Sequence, residues 1–219
     1  MKIIACATVI EEMEPFITSD VDFEVLDFGL HLTPENSKRS LQQSIDKASK
    51  THDVVLLGYG LCSMAVVGLH ANRCTLVIPK VDDCIAIFLG SHTAYRQQIA
   101  KEPGTYYLTK GWIEVSDTLL DEYQTIVETY GQERADRIMG QMLKNYKRLV
   151  YIDTGTEHQE KYQSYARSVA EKFDLHFEIV PGKQSLIKKM LIGPWDDAFV
   201  VIEPGQVVKY IDFKEVSNE

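Results

Sequence analysis

The sequence is short of several things, and each shortage removes a class of protein. It has no excess of positive charge: 23 Lys and Arg stand against 32 Asp and Glu, giving a net charge of −9. Such a surface repels phosphate backbones, so nucleic acid is not an expected partner. No apolar run approaches the roughly 18 residues of a membrane-spanning helix, so no membrane partner is expected either. The opening KIIACATVI is apolar but short, and it leads into an acidic stretch. A secretory leader would need a longer apolar region and a small-residue cleavage site, so the expected location is cytoplasmic. Cysteine is sparse. Cys6, Cys62, Cys74 and Cys84 are the whole complement, and no two form a C-x-x-C pair. In a cytosolic chain of this size they do not spell a disulfide framework, which leaves buried filler, metal ligands or reactive thiols.

Signature loops are missing as well. Neither G-x-G-x-x-G nor G-x-x-x-x-G-K-[ST] occurs, because Gly58 and Gly60 lack a third glycine at the required place. The turn G-Y-G-L-C resembles a strand–turn–helix elbow, which would present Cys62 over a helix start and lower its thiol pKa. Yet Gly60-Leu61-Cys62-Ser63-Met64 lacks the closing glycine of G-x-S-x-G, and no well-placed Asp…His pair follows. Both gaps argue against a triad hydrolase.

What remains is an ordinary globular composition. The 219 residues are 45% hydrophobic and 25% charged, enough to build a core without staples. Short apolar runs alternate with helical patterns. KIIACATV reads as a first strand. VDFEVLDF reads as a second, with Val21, Phe23 and Val25 on one face and Asp27 next on it. Thr33 and Pro34 are suited to open a helix, with Leu41, Ile45 and Ala48 as its stripe. DVVLLGYG and TLVIP are continuous apolar runs, as strands buried on both faces are. DDCIAIFLG reads as a helix, and Pro103-Gly104 break the chain before TYYLT and GWIEV. Two helices separated by Gly131 are expected over about 117–146. RLVYIDTG, LHFEIV and DAFVVIEPG continue the strands, with a helix carrying Tyr162, Ala166, Val169 and Ala170 between the first two. The tail QVVKYIDF reads as a hairpin-like addition at a sheet edge. The expected fold is α/β: a mainly parallel Rossmann-like sheet in two halves, helices on both faces, and a helical insertion at about 117–146 within a single domain over 1–219.

In such sheets ligands gather at the carboxyl ends of strands. Cys6, Cys62 and Cys84 all fall near such ends, whereas Cys74 precedes TLVIP and belongs at the opposite edge. The trio is a candidate zinc or iron–sulfur site with one open position, and His31, on the loop after the second strand, is a candidate fourth ligand. Three small core residues are the plainer alternative. Gly58 and Gly60 bring the chain to a tight turn beside this edge and are candidate residues of a substrate or anion pocket there. Asp82 and Asp83 either cap the helix that starts at Cys84 or orient a ligand there. Asp153-Thr154-Gly155-Thr156 is a candidate anion cup, with Thr154 and Gly155 at its centre; the alternative is a strand–helix turn capped by Thr156.

GYGLCSMAVVGL, LVIPKVDDCIAIFLGS, PGTYYLTKGWIE and LIGPWDDAFVVIEPGQ together resemble the domain-of-unknown-function family 1638 (DUF1638), over nearly the whole chain. The resemblance implies family cysteines at the positions of Cys6, Cys62 and Cys84, and none at Cys74. It also implies a setting near corrinoid proteins and methylamine- or betaine-type methyltransferases, hence corrinoid-dependent methyl transfer or one-carbon metabolism. Tyr107, with Tyr106 and Trp112, is a candidate pocket wall, or else part of a strand packed on the helical insertion. The expected function is a cytosolic metal-binding protein that engages a small molecule through its three-cysteine site. The alternative is an accessory or chaperone module for a corrinoid protein or methyltransferase.

Overall fold

The computed structural model describes residues 1–27, 33–61, 64–155 and 157–214. The chain opens with β1 (Lys2–Cys6), α1 (Ala7–Met13), β2 (Asp22–Leu26), α2 (Pro34–Ala48), β3 (Val54–Gly58), β4 (Thr75–Pro79) and α3 (Cys84–Leu89). It continues with α4 (His92–Lys101), β5 (Thr105–Leu108), α5 (Lys110–Val115), α6 (Leu119–Tyr130), α7 (Gln132–Met142), β6 (Arg148–Asp153), α8 (Gln159–Lys172) and β7 (His176–Pro181). It ends with α9 (Ser185–Ile192) and β8 (Phe199–Ile202). These elements gather into two compact units, one from Met1–His92 with the chain from Lys183 onward, the other from Thr93–Gly182. No helix among the described residues is long and apolar enough to cross a membrane.

The first unit is built on a five-stranded sheet in the order β2-β1-β3-β4-β8. β2, β1, β3 and β4 run parallel, and β8 closes the edge antiparallel to β4, with Pro79 opposite Phe199. Neighbouring residues on a strand face opposite sides of a sheet. Ile3 and Ile4, Leu56 and Leu57, and Val77 and Ile78 are all buried, so both faces are covered. This is why β1, β3 and β4 read as unbroken apolar runs rather than alternating ones. In α2 the helix starts at Pro34 after Thr33, and Leu41, Ile45 and Ala48 are its buried stripe.

Three local expectations change. The strand expected over KIIACATV stops at Cys6, and Ala7–Met13 is helical. One apolar run holds both elements, and the switch shows in Val9, Ile10 and Met13, buried at helical spacing. On β2 the apolar side is the outer one: Phe23 and Val25 are each 45% exposed. The covered side holds Glu24, which accepts a hydrogen bond from Ser44 of α2 at 2.6 Å and lies 3.8 Å from Lys2. The tail adds no edge strand among the described residues. Val207 makes an isolated bridge to His70, and Tyr210–Phe213 is a 3-10 turn. Its partner there is a loop, with Gly68 at φ 88, which supports only a short pairing.

The second unit has a parallel three-stranded sheet, β5-β6-β7. Leu108, Leu149 and Tyr151 of its strands pack with Tyr162, Ala166 and Val169 of α8 and with Leu119 and Met139 of α6 and α7. The helices expected at about 117–146 are α6 and α7, and Gly131 lies between them at φ 81. The architecture is thus mixed α/β with a mainly parallel sheet in two parts.

Candidate functional site

The order of the larger sheet reverses between β1 and β3. From β1 the chain steps outward to β2, then returns to place β3 on the other side. Connections on either side of such a switch point lead away in opposite directions, which leaves a crevice at the carboxyl ends of the two strands. Cys6 is the last residue of β1, buried there, with its sulfur 2.9 Å from the Thr8 hydroxyl oxygen. β3 ends at Gly58, followed by buried Tyr59.

The glycines explain how the edge closes. A Cβ on Gly58 would lie 2.4 Å from the Ala5 Cβ and 3.1 Å from the Val9 Cγ1, so β1 and α1 press directly on β3. A Cβ on Gly60 would lie 2.7 Å from the Val81 carbonyl oxygen and 3.1 Å from the Asp83 nitrogen. The Leu61 N–H donates to the same Val81 oxygen at 3.0 Å. The loop that leads into Cys62 is therefore clamped, one residue earlier, against the loop that leads into Cys84.

Cys84 is the first residue of α3 and is buried. Asp83 caps this helix, its Oδ1 accepting from the Ile85 N–H at 2.9 Å. Asp82 lies 3.0 Å from the His92 Nε2. Cys74 sits at the opposite edge, just before β4, where burial first and the Asp53 charge second push its thiol pKa up. A thiol in that state is a poor ligand and nucleophile at neutral pH. Cys62 and His31 lie outside the described residues. Among the described residues no three His, Cys, Asp or Glu side chains form a group that would hold a metal ion.

The other candidates belong to the second unit. Tyr107 is on β5, and Thr154 is buried just after β6. Gly155, at φ 78, donates its N–H to the Asp153 Oδ1 at 3.0 Å, and Asp153 also accepts from Gln163 at 3.3 Å. α8 begins only at Gln159, and Thr156 lies outside the described residues. Tyr106 stacks edge-on against Tyr146 at 6.5 Å, and burial pushes its phenol pKa up. Trp112 lies on α5. Sequence reasoning passed over two buried side chains of the first unit, Tyr59 beyond β3 and Glu12 of α1, which is 3% exposed. A glutamate at the helical spacing of Val9 and Met13 was the available signal for the second.

Residues 25–191 match the family described as a protein of unknown function (DUF1638). The chain belongs to that family. Cys62 and Cys84 of this DUF1638 chain fall inside the matched stretch, and Cys6 falls ahead of it. No curated protein and no solved structure matches the chain.

Proposed function

We propose that this DUF1638 protein binds a metal through Cys6, Cys62 and Cys84 at the carboxyl edge of its five-stranded sheet and presents it to a small molecule. The observation that carries the reading is the clamp of Leu61 on Val81, 3.0 Å from nitrogen to oxygen. It joins the loops that lead into two of the cysteines, while the third ends β1, the neighbour of β3 at the switch point. The donor chemistry fits a thiolate-binding ion, zinc or an iron–sulfur cluster, with His31 as a candidate fourth ligand. Bound zinc with an open position supplies Lewis acidity toward a thiolate or amine. The chain's own part is to hold the thiols at the crevice, with Asp83 fixing the start of α3 and Gly58 and Gly60 admitting the close approach. The family resemblance suggests corrinoid-dependent methyl transfer or one-carbon metabolism as the setting.

The test is metal content after anaerobic purification. The wild type and Cys74→Ser should carry zinc or iron, and the combined Cys6→Ser, Cys62→Ser, Cys84→Ser variant should lose it. Equal metal content in that variant and the wild type sinks the reading. The accessory-module reading has its own support in α6 and α7, where exposed Tyr130, Ile138 and Met142 lie beside Arg134 and Arg137. It predicts that a purified corrinoid protein or methyltransferase binds the wild type and fails to bind Ile138→Lys.

A further inference from the structure

We propose that a separate cleft of the first unit binds a small organic monocarboxylate with an apolar body, held by Lys80 and the first turn of α9. The cleft has a volume of about 730 Å³ and is lined by Lys80, Val81, Ser91, Ser185, Leu186 and Phe213, among others. That volume is in the range of metabolite-sized pockets. It lies where β4 ends and β8 is about to begin, and none of its walls is a cysteine.

The charges in the cleft are unevenly engaged. Lys189 is paired with Asp196, and His92 with Asp82 at 3.0 Å. Lys80 is half-buried and makes no ion pair among the described residues, although its own N–H is anchored to the Ala198 carbonyl at 2.8 Å. Of the cations lining the cleft, it is the one without an ion pair among the described residues, and its strand end is tied to the chain before β8 by that backbone hydrogen bond. A half-buried ammonium outside an ion pair gives up part of its hydration without a direct contact in return, which favours an arriving anion.

α9 offers a second attraction. Its N-cap residue Gln184 makes no side-chain cap hydrogen bond among the described residues, and no acidic residue occupies its first turn. Ser185 and Leu186, the first two residues of that turn, both line the cleft. The leading N–H groups of a helix lack intrahelical acceptors, and the dipole there favours negative charge. The turn is held in place by the Ser185 hydroxyl, which donates to the Gly90 carbonyl at 3.3 Å. Gly90 permits this contact: it sits at φ 84, and a Cβ there would fall 2.5 Å from the Lys183 Cβ.

The remaining lining selects the class of anion. Asp197 stands on the wall and opposes a second negative charge, which disfavours phosphates and dicarboxylates. Val81, Leu186 and Phe213 offer an apolar surface for the rest of the molecule. The proposal does not rest on the metal reading, since its residues and its test involve no cysteine.

The test is a titration of the full chain with hexanoate, followed by amide chemical shifts, with inorganic phosphate and hexanol as separate arms. Saturable shifts of Gly90, Ser185 and Ala198 with hexanoate are expected, along with weaker effects from both other probes. Lys80→Gln should weaken hexanoate by about tenfold or more, the usual size of a lost charge-assisted hydrogen bond. Lys144→Gln, an exposed lysine of the second unit, should leave the affinity unchanged. The wild-type shift map stands by itself if Lys80→Gln does not fold. No saturable shift at those amides, equal affinity in Lys80→Gln, or tighter binding of phosphate than of hexanoate each overturns the proposal.

Discussion

At the scale of single residues, two glycines differ only in what surrounds them. Gly58→Ala would set a Cβ 2.4 Å from that of Ala5, so β1 or β3 must shift. A loss of about 1–3 kcal/mol is expected, read as a lower urea midpoint. Gly140→Ala meets nothing within 4 Å on α7 and should stabilise by about 0.5–1 kcal/mol. If the two substitutions move the midpoint in the same direction, the packing argument at the β1/β3 edge fails. Strand-end logic placed Cys6, Cys84 and Cys74 on the correct edges, because a parallel run followed by a turn has one readable direction. Gly58 and Gly60 were legible as turn residues. Their partners Ala5 and Val81 were not, since those contacts join strands distant in the sequence.

At the scale of elements, periodicity was a good guide wherever one kind of burial ran the length of an element. β3, β4 and β6, and the stripes of α2 and α8, are such cases. It misled where one apolar run served two elements, as in KIIACATV, and at β2, where the alternating apolar face is the exposed one. The start of α6 joins sequence to tertiary structure. The Thr118 N–H donates to the Asp121 Oδ2 at 2.8 Å, and the Thr118 hydroxyl contacts both that oxygen at 2.7 Å and the Tyr165 hydroxyl at 2.6 Å. Burial works to raise the Asp121 carboxyl pKa, but the hydrogen bonds from Thr118 outweigh it and hold it below the usual value. Asp121→Ala should cost about 1–2 kcal/mol in thermal or urea unfolding, as the loss of a good cap does. A neutral result would mean that Tyr165 and water already satisfy Thr118.

At the scale of the whole molecule, one exposed and one part-buried ionic interaction of the second unit meet at Glu178. It accepts from Lys101 at 2.6 Å and from Arg148 at 3.0 Å, and the buried Arg148 also donates to Thr105 at 2.9 Å. The Lys101 hydrogen bond foremost, and then Arg148, hold the Glu178 carboxyl pKa below its ordinary value. Glu114 is lowered likewise, by the Tyr162 hydroxyl first and Lys161 second. Because these folded-state pKa values are depressed, their stabilisation is complete above the unfolded value of about 4.3 and drains away as pH falls through the folded values. The chain has two tryptophans, Trp112 in the second unit and Trp195 in the first. On acidification below about pH 4.3, Trp112 fluorescence should change, as read in a Trp195→Phe variant. Glu178→Gln should flatten that profile, and an unchanged profile in Glu178→Gln would refute this assignment.

The antiparallel closure by β8 also bears on the order of events during synthesis. Pro79 of β4 must wait for Phe199 of β8, and the whole of Thr93–Gly182 emerges from the ribosome between them. The second unit is made of one continuous stretch and can complete its sheet while β4 still presents an open row of backbone donors and acceptors. Such an edge recruits other strands, so nascent or truncated chains that stop short of β8 are the forms most exposed to aggregation.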